Sequence, residues 1–182
     1  MKIIIRLFKK GDGSGVIRCF NNGTIKGINE YTGSNTLSKS ADARALDKQY
    51  SAGRGNNFGF IALDPNSRKI VGACFFFARS EGRTRHRGEV SCGVDPDYLM
   101  RGIGTKLLKK TINKASKTSF ERIEAEVAKG NMASIKLVER CGFKIEGIKR
   151  EGLILDDGTY MDVYVYGMLI SKHGRKFNEN NA

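Results

Sequence analysis

The spacing of apolar residues changes twice along this chain, and each change marks a different kind of element. Ile3, Ile4, Ile5 and Leu7 read as a short opening strand over 2–8. From 11 to 55 the chain is polar and glycine-rich, with helices expected at 15–22 and 41–50. Ala41, Ala45 and Leu46 give the second of these a modest apolar face. At 57 the pattern becomes strand-like. Phe58, Phe60, Ile61 and Leu63 run into the turn signal Asp64-Pro65-Asn66-Ser67, and 70–78 is again apolar, so the two runs form a hairpin. The Phe75-Phe76-Phe77 cluster belongs in the sheet core. A turn at 80–83 leads to a third strand over 88–94.

The period then turns helical. Ile103, Leu107, Leu108, Ile112 and Ala115 share one face, and lysines take the other. A strand over 122–127 precedes a helix over 131–140, which Gly142 ends in a left-handed conformation. Strands over 143–155 and 160–170 close around Asp156-Asp157-Gly158. Hairpins with two crossover helices predict one α/β domain with a mixed, mostly antiparallel sheet flanked by helices. The basic tail over 172–182 is expected to be disordered.

Charge adds a partner question. The chain has 182 residues, enough for a single core, and 32 Lys and Arg against 19 Asp and Glu give it a net charge of +13. That balance suits a polyanionic ligand, a nucleic acid or an acidic protein, and carries no information about fold. The basic residues are spread along the chain, so nucleic acid is the less favoured partner. Cys19, Cys74, Cys92 and Cys141 lie far apart without a C-x-x-C pair, and the histidines are only His86 and His173. Neither a metal site nor a disulfide framework is expected, and reduced thiols fit a cytoplasmic protein. The N-terminal apolar run is too short for a signal peptide, and no later run reaches membrane-spanning length.

The candidate chemistry sits at Arg101-Gly102-Ile103-Gly104-Thr105, where a strand gives way to a helix. Small residues there leave successive backbone amides open at a helix start, which makes an anion site, unless they serve only a tight turn. A dinucleotide fingerprint would need a third glycine where Leu107 stands, and the chain has no Gly-Lys pair for a Walker A loop.

Following Cys92-Gly93-Val94, this turn resembles the cofactor motif of the GNAT acetyltransferase superfamily, R/Q-x-x-G-x-G/A, with Leu99 at the leading position. The stretch from Glu126 through Asn131, Ser134, Ile135 and Leu137 to Gly142 and Phe143 resembles that family's second signature, and Gly147 and Asp162 match its closing segment. The resemblance spans 57–170 and is nearest to the branch that acetylates ribosomal-protein N-termini. It implies a GNAT-like domain over 1–171, with 57–170 as the cofactor-binding core and 11–55 as a variable substrate side. It implies a sheet splayed between the strands ending at Val94 and Val127, with acetyl-CoA as co-substrate. Backbone at Val94 would pair with pantetheine, the amides of Met100, Arg101, Gly102, Ile103, Gly104 and Thr105 would take the pyrophosphate, and Asn131 and Ser134 would complete the site. Glu126 is the candidate base, sharing a strand face with Glu124. Both could instead be solvated or ion-paired.

Val138 stands where the family often has tyrosine and cannot donate a proton; Ser134, one turn earlier on the same helical face, could contact the cofactor sulfur, although a serine is a poor acid. The resemblance implies an acceptor amine on a protein N-terminus, such as that of a ribosomal protein, or on a small molecule such as a polyamine or antibiotic. A non-catalytic module that binds RNA or an acidic partner is the rival reading, and a homodimer remains open. Arg83, Arg85 and Arg87 alternate and put three guanidinium groups on one side, as a ligand grip or a solvated face. Tyr160, Tyr164 and Tyr166 alternate too, lining an acceptor cleft or packing on a half-buried face.

Overall fold

The computed structural model describes residues 2–25, 40–50, 56–79, 82–155 and 157–170. The tail over 172–182 and much of the variable 11–55 region therefore lie outside the described residues. In chain order the elements are β1 (Ile4–Leu7), α1 (Gly13–Ile25), α2 (Ser40–Tyr50), β2 (Phe58–Asp64), β3 (Lys69–Ala78), β4 (Arg87–Val94), α3 (Ile103–Ala115), β5 (Arg122–Ala128), α4 (Met132–Arg140), β6 (Lys144–Ile154) and β7 (Tyr160–Leu169). They form a seven-stranded sheet in the order β1-β2-β3-β4-β5-β7-β6. Only β4 and β5 run parallel; every other neighbouring pair is antiparallel.

Alternation along the central strands sorts side chains onto two faces. Cys74, Phe76, Val90, Ile123, Ala125 and Val127 meet Ile103, Leu107 and Leu108 of α3 and Ile135 and Val138 of α4 in the larger core. Phe8, Val16, Tyr50, Ile61, Ala73 and Phe75 form a smaller core on the opposite face, the one covered by α1 and α2. Gly88 has to be glycine for packing reasons, because a Cβ there would run into the ring of Phe76. Phe76 itself stacks on Phe58 with centroids 4.9 Å apart.

Two polar knots hold the loops around α3. Asp64 is buried, and it accepts from the amide of Asn66, the hydroxyl of Ser67 and the hydroxyl of Tyr98, the last at 2.9 Å. That carboxylate ties the β2–β3 turn to the segment leading into α3. Asp95 accepts from Asn22 Nδ2 at 2.8 Å and from the amide of Asp97 at 3.0 Å, so α1 is fastened to the same segment.

The hairpin of β2 and β3, the third strand beside it and both crossover helices lie where hydrophobic spacing puts them. Gly142 takes φ 97° and ends α4. One side-chain expectation fails, and another resolves between its two alternatives. The arginines do not share a side: residues 82–84 form a 3₁₀ turn, Arg85 donates to the carbonyl of Gly82, and Arg87 pairs with Glu124. Of the tyrosines of β7, Tyr164 and Tyr166 take the packing alternative, while Tyr160 is exposed. Tyr166 is buried against α4 with its hydroxyl bonded to Glu139, and Tyr164 packs beside it on the α4 face.

Arg6 clamps the start of α1 through a bidentate pair to Asp12, at 2.6 and 2.7 Å, while the Lys9 amide donates to the same carboxylate. Burial pushes the Asp12 carboxyl upward, but the Arg6 and Lys9 bonds outweigh that and hold it below the ordinary carboxylate range. Its stabilising contribution is therefore complete above the unfolded-state value of about 3.9 and is lost as pH falls through the lower folded value. Asp12→Asn should lose about 1–3 kcal/mol at neutral pH in urea unfolding. The gap from the parent protein should close in acid, where Asp12 is protonated in both states.

Candidate active site

The parallel pair β4–β5 holds for three rungs, Arg87 to Glu89 against Arg122 to Glu124. Beyond them β4 continues to pair with β3 and β5 with β7, so the two strands separate without losing their outer partners. The gap is a cleft of about 330 Å³ that passes from one face of the sheet to the other. On the α3 and α4 face its lining is Cys92, Leu108, Val127, Leu137 and Val138, with Asn131 and Ser134 at the start of α4. On the α1 and α2 face it is Glu89, Ser91 and Glu126, with Gly152, Leu153 and Val163 from the last hairpin. Cross-strand pairing fixes these sides: Phe77 faces Glu89 and Phe75 faces Ser91, whereas Cys74 faces Cys92. One end of the cleft is apolar and the other acidic.

At the apolar end stands the start of α3. Met100 is left-handed at φ 57° and 97% exposed, and Gly102 is left-handed at φ 71° as the N-cap residue. No side chain caps this helix, and its first turn carries no acidic residue. The leading amides of a helix have no partner within it, so here they face outward with the positive end of the helix dipole. A Cβ on Gly102 would meet nothing within 4 Å, whereas one on Gly104 would press on Leu137 at 3.3 Å. The first glycine serves the backbone turn and the second serves helix packing. Arg101 is steered aside, donating to the carbonyl of Asp97 with its guanidinium over the Tyr98 ring. An open cradle of donors leading into an apolar slot fits a pyrophosphate joined to a long thiol arm, so the residues present fit coenzyme A.

Asn131 caps α4 by accepting from the amide of Ser134 at 3.0 Å. Val138 is buried one turn beyond Ser134 and adds only methyl groups to the lining.

At the acidic end both carboxylates singled out from the sequence are ion-paired, one of the alternatives the sequence left open. Glu124 accepts from Arg87 and Arg122. Burial pushes its carboxyl up, but those arginines hold it below the usual range. Glu126 lies in the cleft lining, exposed and ion-paired with Lys149. Glu89, which sequence reasoning passed over, occupies the mouth of the cleft. Burial pushes its carboxyl above the ordinary range, the charges of Glu126 and Glu124 push it further, and Arg79 and Lys149 offset part of the rise. Its signal in the sequence was an acidic residue alternating with Ser91 on a strand that leads to the glycine turn. Among the described residues no group of three or more His, Cys, Asp or Glu could hold a metal ion. Nor is any described helix long and apolar enough to cross a membrane.

Asn131→Ala should lower stability by about 1 kcal/mol and Asn131→Asp by much less, read from thermal unfolding. Loss of the cap alone accounts for that order.

Three comparisons bear on this geometry. Over 173 residues the chain is 24% identical to an uncharacterized N-acetyltransferase, YoaA, of Bacillus subtilis, covering 92% of this chain and 93% of that one. Over 65 residues it is 37% identical to the ribosomal protein bS18-alanine N-acetyltransferase of Escherichia coli, 36% of this chain and 44% of the relative. The fold matches that of Salmonella typhimurium yncA, solved with its cofactor acetyl-CoA, at TM-score 0.79 and 18% identity over 98% of this chain and 99% of that one. The model of the acetyltransferase (GNAT) family matches residues 27–143. With that much of its length matched, this chain belongs to the GNAT family and is an acetyl-CoA-dependent N-acetyltransferase.

Proposed function

We propose that Glu89 is the general base for acetyl transfer to a primary amine that enters from the α1 and α2 face. The single observation behind this is the position of a half-buried carboxyl with raised proton affinity at the acidic mouth of a cleft whose other end opens on the glycine cradle. Acetyl-CoA supplies an activated thioester carbonyl when bound. The amides from Met100 to Thr105 hold its pyrophosphate, and the Val94 backbone and the apolar lining hold its arm. Asn131 and Ser134 border the arm from α4.

An alkylammonium has a pKa of about 10 and cannot attack until it loses a proton. Glu89 takes that proton on the acceptor side, which leaves the free amine facing the slot. Glu126 contributes as a neighbouring negative charge that keeps Glu89 basic. Val138 offers no proton to the departing thiolate, so the Ser134 hydroxyl and solvent are the sources left beside it.

In this reading 57–170 carries the cofactor and 11–55 shapes the acceptor side, and the enzyme works in the cytoplasm, as its free thiols suggest. A protein N-terminus as acceptor is supported by the partial match to the bS18-alanine enzyme. A small amine is the alternative acceptor.

Two measurements test this reading. Glu89→Gln should lower kcat/KM by about 10²–10⁴-fold with acetyl-CoA binding intact. Glu126→Gln should move the acid limb of the kcat/KM profile to lower pH, since removing a like charge lowers the pKa of Glu89. An unmoved limb together with a fully active Glu89 variant would assign the base elsewhere. Separately, Gly102→Glu with Gly104→Glu should abolish acetyl-CoA binding in calorimetry, by filling the cradle with negative charge.

A further inference from the structure

One amine of the chain itself stands at the acidic mouth of the cleft. Lys149 lies on β6, and its side chain crosses β7 to pair with Glu126 on β5. Glu126 belongs to the cleft lining on the α1 and α2 face, with Glu89 and Ser91. Among the described residues no other lysine is bonded to a side chain of that lining. Lys129 pairs with Asp162, which lies outside it. Lys149 also bears on the second carboxyl of the mouth, since its charge offsets part of the rise in the proton affinity of Glu89.

A break in the β6–β7 ladder sets this position. Lys149 lies opposite Val163, and the register shifts between Lys149 and Leu153. Within that bulge Glu151 is left-handed at φ 53°, and its amide donates to Asp162 at 3.1 Å. Gly152 follows because a Cβ there would come within 2.9 Å of Val163. Gly152 and Leu153 then join the cleft lining, so the strand that carries Lys149 bends onto the cleft. Lys149 and Glu126 are 54% and 41% exposed. A pair so exposed adds little stability and opens readily.

The structure assigns Lys149 as an acetylation site of the enzyme itself, modified in cis from acetyl-CoA held in the adjoining cleft. This goes beyond transfer to a separate acceptor and does not require Glu89 to be the base, because Lys149 has its own proton acceptor in Glu126. An ammonium has no lone pair to attack with until a proton leaves. Glu126 takes that proton through the bond it already accepts and passes it to solvent. The Lys149 nitrogen then attacks the thioester carbonyl carbon. The C–N bond forms, the C–S bond breaks, and the second nitrogen proton goes to the departing thiolate. The products are N-acetyl-lysine, coenzyme A as the free thiol and one released proton. Attachment at the mouth replaces an encounter between molecules with an intramolecular one, an advantage that lysines elsewhere on the surface lack. Acetylated Lys149 carries no charge, which leaves the Glu126 carboxylate unpaired at the acceptor entrance.

The test incubates full-length enzyme with acetyl-CoA and no acceptor, and follows acetylation site by site by mass spectrometry. Lys149 should gain one acetyl group about a hundredfold or more faster than the exposed Lys110 and Lys117 of the α3 side. The rate should saturate with acetyl-CoA and be independent of enzyme concentration. Glu126→Gln should slow it by about 10²-fold or more with acetyl-CoA binding intact in calorimetry. Gly102→Glu with Gly104→Glu should bring Lys149 down to the rate of Lys110. The inference is overturned if Lys149 reacts no faster than Lys110 and Lys117 in a protein that binds acetyl-CoA, or if Glu126→Gln leaves its rate unchanged. It is overturned too if the rate rises with enzyme concentration, which marks transfer between molecules. Modification of the double glycine variant at the parent rate also overturns it, because that marks chemical acetylation by free donor. An enzyme that acetylates added amines through Glu89 while Lys149 stays unmodified loses only this inference. One whose Lys149 is modified equally fast in Glu89→Gln keeps it, whatever the base for other acceptors.

Discussion

Everything functional in this molecule depends on one backbone constraint: two parallel strands that pair for three rungs and then part. An open pair of strands leaves amides and carbonyls without partners, which a protein interior does not tolerate unless something else takes them. Here the outer neighbours do not give way. β3 stays on β4 to Val94 and β5 stays on β7 to Ala128, so each diverging strand keeps one satisfied edge and offers the other to a guest. The cleft is therefore part of the topology. It would survive changes to most of the side chains that line it.

That constraint also explains why one sheet can present two chemistries. Side-chain alternation sends Val90, Cys92, Ala125 and Val127 into the core beneath α3 and α4, and sends Glu89, Ser91, Glu124 and Glu126 to the opposite face. A gap between the strands joins the two faces. An apolar arm and a polar acceptor can then meet without either crossing the other's environment. Arg87 and Arg122 neutralise Glu124 and leave Glu89 as the carboxyl whose surroundings favour the protonated form.

The fold was legible in the sequence wherever a pattern repeats. The spacing of Ile103, Leu107, Leu108 and Ala115, the aromatic run of β3 and the glycine after α4 all depend on local periodicity, which sequence preserves. The glycine turn was legible because few local structures place small residues at a helix start. The acceptor side was not legible, for a physical reason. Glu126 and Glu89 look equivalent in sequence, since both alternate with apolar residues on a strand. What separates them is which cation the sheet brings alongside: Lys149 from β6 pairs closely with Glu126, while Arg79 pairs with Glu89 at 3.5 Å. Those partners lie 23 and 10 positions away in the chain and meet through strand register, which local patterns do not encode. The arginines of the β3–β4 turn misled for the same reason, because alternation implies one side only in an extended backbone, and residues 82–84 form a 3₁₀ turn.

The uncapped start of α3 has a consequence for the protein's lifetime. A helix that begins without a side-chain cap frays more readily than one that has it, and here the missing cap belongs to a ligand rather than to the chain. A ligand that binds only the folded state raises stability with the logarithm of its concentration. Stability, and with it the lifetime of the folded enzyme, would then rise with the supply of the acyl donor.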